Sequence, residues 1–136
     1  MKAAAREWVE KAEADYAAAL LLRRSRKKFA RDIVCFHLQQ CAEKYLKGQL
    51  MEAGIPFPKT HDLERLLDLA LSVDAALASM RPAMATLTDY AVEIRYPGRT
   101  TAPADLRILM RSTELVRDVI RRRLRLPRDR RGRRLD

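Results

Sequence analysis

Apolar residues recur about every 3.6 positions along almost the whole chain, and this periodicity limits the possible folds more than any other feature. Such a period places apolar side chains on one face of an α-helix, whereas a half-buried strand would need strict alternation. Only four glycines and 6% aromatic residues are present, which disfavours a β-sandwich or barrel. The pattern predicts an all-α fold, an antiparallel up-and-down bundle of four to five helices.

Glycine, proline and capping residues divide this pattern into separate helices. In chain order the predicted elements are residues 3–25; residues 29–53, stopped by Gly54; a helix capped by Thr60; a weak helical stretch at 74–79; a helix from Pro82 to a stop at Tyr96-Pro97-Gly98; and a helix from Pro103 to Pro127. The buried faces are predicted to include Trp8, Tyr16 and Leu20 in the first helix and Ile33 and Leu38 in the second.

Length and charge suggest one domain with a basic end. The chain has 136 residues and carries 28 Lys and Arg against 18 Asp and Glu, a formal charge of +10. We predict a bundle over residues 1–126 and a basic, disordered tail over 127–136, since nine of the arginines lie within 121–136. A basic surface attracts phosphates and so suggests nucleic acid. The alternative is that the charge only keeps the chain in solution.

The cysteines and the hydropathy pattern suggest a cytoplasmic protein. Cys35 and Cys41 lie six residues apart on one predicted helix, so they point about 240° apart and cannot form a disulfide. No segment approaches the ~20 apolar residues of a membrane span, and no secretory segment is visible. Neither a metal-ligand cluster nor a glycine-rich phosphate loop is present, so we predict no metal and no cofactor.

Polar side chains along the second helix are candidates for ligand binding. His37, Gln40, Lys44 and Lys47 follow one another at i, i+3, i+7 and i+10, which aligns them in a stripe that could contact phosphate or a nucleobase. The alternative is a packed histidine whose neighbours bond to adjacent helices. His61 begins the third helix, where backbone N–H groups could receive an anion, or it braces the proline-rich loop.

Four segments resemble one family in their order and spacing. They are A-R-E-W-V-E-K-A-E-A-D-Y at 5–16, C-F-H-L-Q-Q-C-A-E-K-Y-L-K-G-Q-L at 35–50, P-K-T-H-D-L-E-R-L-L at 58–67 and Y-A-V-E-I-R-Y-P at 90–97. Together they resemble the HEPN family (higher eukaryotes and prokaryotes nucleotide-binding). The resemblance implies a helical bundle that pairs into a homodimer. Similar HEPN proteins are commonly encoded beside a minimal nucleotidyltransferase, with which they form a toxin–antitoxin-like module.

Other branches of that family are metal-independent ribonucleases that use an Arg and a His with four to six residues between them. Arg95 occupies the Arg position, but the positions for the His hold Thr100, Thr101 and Ala102. Without the imidazole the usual general acid and base is missing, so the sequence disfavours an enzyme. One other pair, Arg31 with His37, matches the spacing numerically. It lies early in the second helix, away from the family's motif, and its members point about 240° apart.

Three hypotheses follow. The first is a non-catalytic HEPN subunit that binds a minimal nucleotidyltransferase and nucleotide or RNA. In it Arg95, Tyr96 and Pro97 shape the helix end at the dimer cleft, and Lys44, Lys47 and Arg99 are available for phosphate. The second is a metal-independent HEPN ribonuclease toxin that uses Arg95 with an unusual base, or Arg31 with His37. The third is a structural bundle whose arginine tail binds nucleic acid without specificity.

Overall fold

A computed structural model describes residues 1–94 and 96–127, and within these ranges it contains helices and no strand. The elements are α1 (Ala3–Leu22), α2 (Lys28–Ala53), α3 (Leu63–Leu71), a 3-10 helix (Ala75–Met80), α4 (Arg81–Glu93) and α5 (Pro103–Arg123). The predicted all-α helical bundle is confirmed. The weak stretch predicted at 74–79 corresponds to the 3-10 helix.

The long helix α2 is the centre of the bundle, because it contacts α1, α3, α4 and α5. α1 packs along it, and Gly48 lies at this contact. A Cβ atom at Gly48 would lie 3.4 Å from a methyl carbon of Val9 and 3.5 Å from the carbonyl oxygen of Ala5. These are ordinary van der Waals distances, so α1 and α2 are closely packed here but an alanine would still fit. The fully buried Leu38 and Tyr45 of α2 lie in the single core that the helices share.

Helix ends follow the predicted signals with one correction. Gly54 ends α2 in the left-handed region at φ 72°, and its N–H donates to the carbonyl groups of Leu50 and Met51. Pro103 begins α5 as predicted. The prediction that Thr60 caps α3 is wrong, because Asp62 is the cap and its side chain accepts from the Arg65 N–H. Thr60 lies two residues before this cap, and its hydroxyl oxygen accepts a 3.1 Å hydrogen bond from the Asp62 N–H.

The predicted core faces also need correction at three positions. Tyr16 and Leu38 are buried, but Trp8 and Leu20 are only half-buried. Ile33 is 39% exposed, because no other helix covers that side of α2 near its first turns. Helix α1 ends at Leu22, three residues before the predicted end, and α5 ends at Arg123, before Pro127. Predicted helix ends commonly differ by a few residues, since terminal turns fray.

Candidate functional site

The first polar cluster, here called the Asp15 cluster, joins α1 to α2. Asp15 is 8% exposed, and its carboxylate lies 2.8 Å from His37 Nδ1 and accepts a 2.5 Å hydrogen bond from Lys44 Nζ. His37 and Lys44 are two turns apart on α2, so both can reach one carboxylate. An ionised carboxylate only accepts, so His37 donates from Nδ1 and Nε2 remains its free ring nitrogen.

The second cluster, here called the Glu43 cluster, repeats this chemistry further along α2. Glu43 is 2% exposed, and it accepts a 3.1 Å hydrogen bond from Lys47 Nζ and contacts His61 Nδ1 at 2.8 Å. The Lys47 ammonium also lies 5.3 Å from the centre of the Trp8 ring. The Lys47 side chain is only 9% exposed, whereas that of His61 is 75% exposed. His61 is therefore the member that remains open to a ligand.

The predicted stripe on α2 is thus divided between two carboxylates. His37 and Lys44 bond to Asp15, and Lys47 bonds to Glu43, while Gln40 is half-buried. The Glu43–Lys47 pair follows from its i,i+4 spacing, but the partner Asp15 was missed in the sequence, although a signal existed. Asp15 falls three residues after Ala12 and four before Ala19, inside the apolar stripe of α1. A charged residue in such a position is buried only when it is paired.

The segment between α4 and α5 contains the positions that matter for the family's ribonuclease motif. Arg95 lies outside the described residues. Tyr96 is 63% exposed, and Arg99 is also exposed. Thr101, one of the three positions where a histidine would stand, is 1% exposed. Its N–H donates to the Asp32 carboxylate at 2.8 Å, and its carbonyl accepts from Arg31 Nε at 2.8 Å. The first turn of α2 therefore fixes the loop at Thr101.

The Arg31 and His37 side chains are held by different parts of the molecule. Arg31 donates to the loop before α5 through the Thr101 carbonyl, whereas His37 bonds to Asp15 on α1. This agrees with the divergence expected from their spacing on one helix. The structure therefore does not bring these two residues together around one carboxylate or one loop.

A third cluster, here called the Glu13 cluster, links α1, α2 and α5 inside the bundle. Glu13 accepts two hydrogen bonds from Arg117, at 2.7 and 2.9 Å, and one from the Tyr45 hydroxyl at 2.6 Å. Arg121 Nη1 lies 3.4 Å from the same carboxylate and donates to the Tyr45 oxygen at 3.0 Å. Arg121 is only 7% exposed, so this arginine of the basic segment 121–136 is part of the bundle interior. The tail beyond Pro127 lies outside the described residues.

The Glu13 cluster sets the charge states of its members. Burial by itself raises the pKa of Glu13, but the hydrogen bonds from Arg117 and Tyr45 and the attraction of both arginines outweigh it, so the pKa is lowered. Burial and the neighbouring Glu13 carboxylate raise the pKa of Tyr45 far above its usual range. At neutral pH the cluster therefore holds an ionised Glu13, a protonated Tyr45 and charged arginines, which makes it a structural ion pair.

A cavity of about 790 Å³ opens between the turn after α1, the start of α2 and the first half of α5. We call it the arginine cavity, because five of its lining residues are Arg23, Arg26, Arg31, Arg107 and Arg111. The remaining lining residues are Ser25, Pro103, Leu106, Met110 and Glu114. In the sequence, residues 23–28 form a mainly basic run at the junction of the first two predicted helices. The α5 residues were missed because nothing in the sequence shows that α5 packs beside that turn.

Three further observations limit the chemistry of the described residues, 1–94 and 96–127. No three His, Cys, Asp or Glu side chains within these ranges are grouped so as to hold a metal ion. Cys35 and Cys41 are buried free thiols, and burial raises the pKa of Cys35 to about 11 and that of Cys41 well above its usual value. In the same ranges no helix is long and apolar enough to cross a bilayer.

The fold and these clusters define a helical-bundle protein with polar clusters on its central helix. The sequence pattern of the HEPN domain matches residues 5–123. This match covers most of the 136 residues, and the chain belongs to the HEPN family. Membership indicates a function related to nucleotides or RNA, and HEPN domains often dimerise. No curated protein and no solved structure matches the chain.

Proposed function

We propose that this protein is a non-catalytic HEPN subunit of a two-component, toxin–antitoxin-like module. It binds a minimal nucleotidyltransferase as its partner and nucleotide or RNA as its ligand. The proposal combines family membership, which covers residues 5–123, with the state of the loop between α4 and α5. Cytoplasmic location is part of the same proposal, because nucleotides and RNA are found there.

The observation that carries the proposal is the state of Thr101. A ribonuclease of this family needs an imidazole at positions 100–102, free to approach the RNA 2′-hydroxyl. Here Thr101 is 1% exposed, and both of its backbone groups are bonded to Arg31 and Asp32. A threonine hydroxyl does not accept a proton at neutral pH as an imidazole does. The loop therefore has no imidazole at positions 100–102. It is fixed at Thr101, while Thr100 and Ala102 are exposed.

A homodimer is part of the proposal, and an exposed apolar stripe on α2 supports it. Phe29, Ile33 and Phe36 are 65%, 39% and 53% exposed. They follow one another at i, i+4 and i+7, which places them on one side of the helix. A row of exposed large apolar side chains marks an interaction surface. A two-fold pairing brings the same patch of both copies together, so the second copy covers this stripe.

One observation favours the ribonuclease alternative, and the same experiment must test it. Asp15 contacts His37 through Nδ1, and Nε2 has no hydrogen-bond partner among residues 1–94 and 96–127. A carboxylate that orients an imidazole in this way is a common arrangement for general bases. His37 therefore has to be removed, together with Arg95, before the alternative can be rejected.

The first experiment incubates the purified protein and an Arg95→Ala/His37→Ala double variant with labelled total RNA in EDTA. We expect no cleavage by either protein. Cleavage by the wild type that is absent in the variant would identify a metal-independent ribonuclease and overturn the proposal. Coexpression with a minimal nucleotidyltransferase of the same genome then tests the partner, and we expect the two chains to purify together. Failure to do so contradicts the two-component part of the proposal.

The homodimer is tested by light scattering after size exclusion. We expect a dimer for the wild type and a monomer for Phe36→Glu, because a buried charge at the interface costs several kcal/mol. The control is Leu21→Glu on α1, where the side chain is 72% exposed, and it should remain dimeric. If both variants dissociate equally, or if neither dissociates, then α2 is not the dimer surface.

A further inference from the structure

The arginine cavity combines positive charge with a concave shape. Five arginines and one acidic residue, Glu114, line it, so its lining carries a formal charge of +4. Among the described residues no carboxylate lies within 4.0 Å of Arg23, Arg26, Arg107 or Arg111. Like charges around one cavity repel each other, and this repulsion is relieved when an anion binds.

Arg31 is the one arginine of the cavity with a fixed orientation. Its Nε donates to the Thr101 carbonyl at 2.8 Å, which leaves the terminal nitrogens of the guanidinium without a hydrogen-bond partner among the described residues. The Arg31 side chain is half-buried, whereas the other four arginines are exposed. A guanidinium held through Nε is preorganised, so it loses less conformational entropy when it binds an anion.

The cavity also has an apolar wall, which distinguishes it from an ordinary solvated basic surface. Pro103, Leu106 and Met110 supply that wall, and Met110 is only 7% exposed. Apolar walls lower the local dielectric constant and strengthen the attraction between an anion and the arginines. The volume of about 790 Å³ lies within the range of roughly 300 to 1,000 Å³ that is typical of small-molecule sites.

The chemistry of the lining identifies the class of ligand. Guanidinium groups present paired N–H donors that match the oxygens of phosphate groups, and several of them around one cavity suit several phosphates. A single carboxylate or one phosphate would leave most of the charge uncompensated. We propose that the arginine cavity binds a ligand with several adjacent phosphate groups, for which a nucleoside triphosphate and the RNA backbone are the two sources.

This inference rests on the proposed function for the nucleotide or RNA class of ligand, but it needs neither the partner protein nor the absence of catalysis. It also places the ligand away from the predicted stripe, where His37, Lys44 and Lys47 are already paired with carboxylates. The two proposals therefore fail separately. A cavity that binds nothing leaves co-purification with a nucleotidyltransferase unaffected, and a missing partner leaves ligand binding unaffected.

The test compares two full-length double variants that lose the same charge. The first, Arg107→Gln/Arg111→Gln, removes two exposed arginines of the cavity on α5. The control, Arg65→Gln/Arg122→Gln, removes two exposed arginines elsewhere. Both retain the whole C-terminal tail, so its non-specific attraction is the same in both. Circular dichroism establishes that both remain helical, which is expected because all four side chains are on the surface.

Binding of inorganic triphosphate and of ATP is measured by calorimetry, and binding of a labelled 12-nucleotide RNA by fluorescence anisotropy at several salt concentrations. We expect the cavity variant to bind triphosphate and ATP about tenfold more weakly or worse, since two charge-assisted contacts are lost. The control should change by less than about twofold. If RNA is the source, the slope of its affinity against salt should fall by about two in the cavity variant only.

The three binding measurements distinguish a small polyphosphate from the RNA backbone, and they also define the result that would overturn the inference. Cavity-dependent binding of triphosphate and ATP identifies a small polyphosphate. Cavity-dependent binding of RNA without binding of triphosphate identifies the RNA backbone. The inference is overturned if neither probe binds, or if the cavity variant and the control lose affinity equally, because the effect would then be one of net charge alone.

Discussion

Replacing Glu13 by glutamine removes the charge at the centre of the Glu13 cluster while keeping the shape of the side chain. The Glu13 carboxylate accepts two hydrogen bonds from Arg117, at 2.7 and 2.9 Å, and one from Tyr45 at 2.6 Å. The glutamine amide keeps one oxygen as an acceptor, but its second polar atom is an NH2 donor. That donor faces a guanidinium, which can only donate. Arg117, with a side chain 3% exposed, is then left as a buried and uncompensated charge.

The magnitude follows from this burial. Breaking a buried ion pair by removing one partner costs about 3–5 kcal/mol. The Glu13 side chain is 16% exposed, so water relieves part of this cost. We therefore expect Glu13→Gln to lower the free energy of unfolding by about 3 kcal/mol at pH 7. Adding Arg117→Met should restore part of the loss, because the uncompensated guanidinium is then absent.

The pH dependence gives a second test of the same cluster. The pKa of Glu13 in the folded protein lies below its ordinary value of 4.5. Its contribution to stability is therefore fully present above about pH 4.5 and is lost as the pH falls through the lowered pKa. The difference in unfolding free energy between the wild type and Glu13→Gln should be constant near neutral pH and shrink below pH 4.5.

Urea unfolding, monitored by circular dichroism, measures these differences. For a two-state comparison, the slope of unfolding free energy against urea concentration must be the same in all variants. The control is Glu10→Gln on α1, an exposed position where the change should stay within about 0.5 kcal/mol. Equal effects of both variants would refute the reasoning. A Glu13→Gln variant whose deficit grows as the pH falls would refute the direction of the pKa shift.

Three further changes test local features of the fold. Asp62→Ala should lower the unfolding free energy by about 1 kcal/mol, because the α3 cap is lost, and Thr60→Ala should lower it by less. A larger loss for Thr60→Ala than for Asp62→Ala would mean that Thr60 is the cap. Gly54→Ala should cost about 1 kcal/mol in the same urea assay because φ is 72° there, and a neutral result would contradict the left-handed end of α2. Cys35 and Cys41 should react with a thiol reagent at pH 8 only after unfolding, since both are buried and burial raises the pKa of Cys35 to about 11. Rapid reaction of the folded protein would contradict their burial.

The fold was largely predictable from the sequence because helices are encoded locally. The apolar period, the prolines and Gly54 gave the number, order and approximate bounds of the helices. The errors lie where local signals compete. Thr60 and Asp62 are both good capping residues, and only the path of the chain decides between them. Ile33 matches the apolar period of α2, but whether another helix covers it depends on how the bundle packs.

The candidate site was predicted less completely, and the reason is physical. The sequence alone placed His37, Lys44 and Lys47 on one stripe of α2, because their spacing fixes their direction on a helix. It also showed that positions 100–102 lack a histidine. The i,i+4 spacing of Glu43 and Lys47 on α2 also indicates their pairing. The sequence could not show that Asp15 neutralises Lys44, since that contact depends on how α1 packs against α2.

The sequence by itself therefore determined the helices, their order, the family and the absence of a histidine at positions 100–102. Only the tertiary structure decided which charges on different helices meet. It paired Glu13 with Arg117, which lie 104 residues apart in the chain. It also brought Arg107 and Arg111 into one cavity with Arg23 and Arg26, where no carboxylate of the described residues lies within 4.0 Å of these four arginines. Periodicity records the direction of a side chain relative to its own helix, whereas pairing depends on the distance between helices, and that distance is set only when the whole core packs.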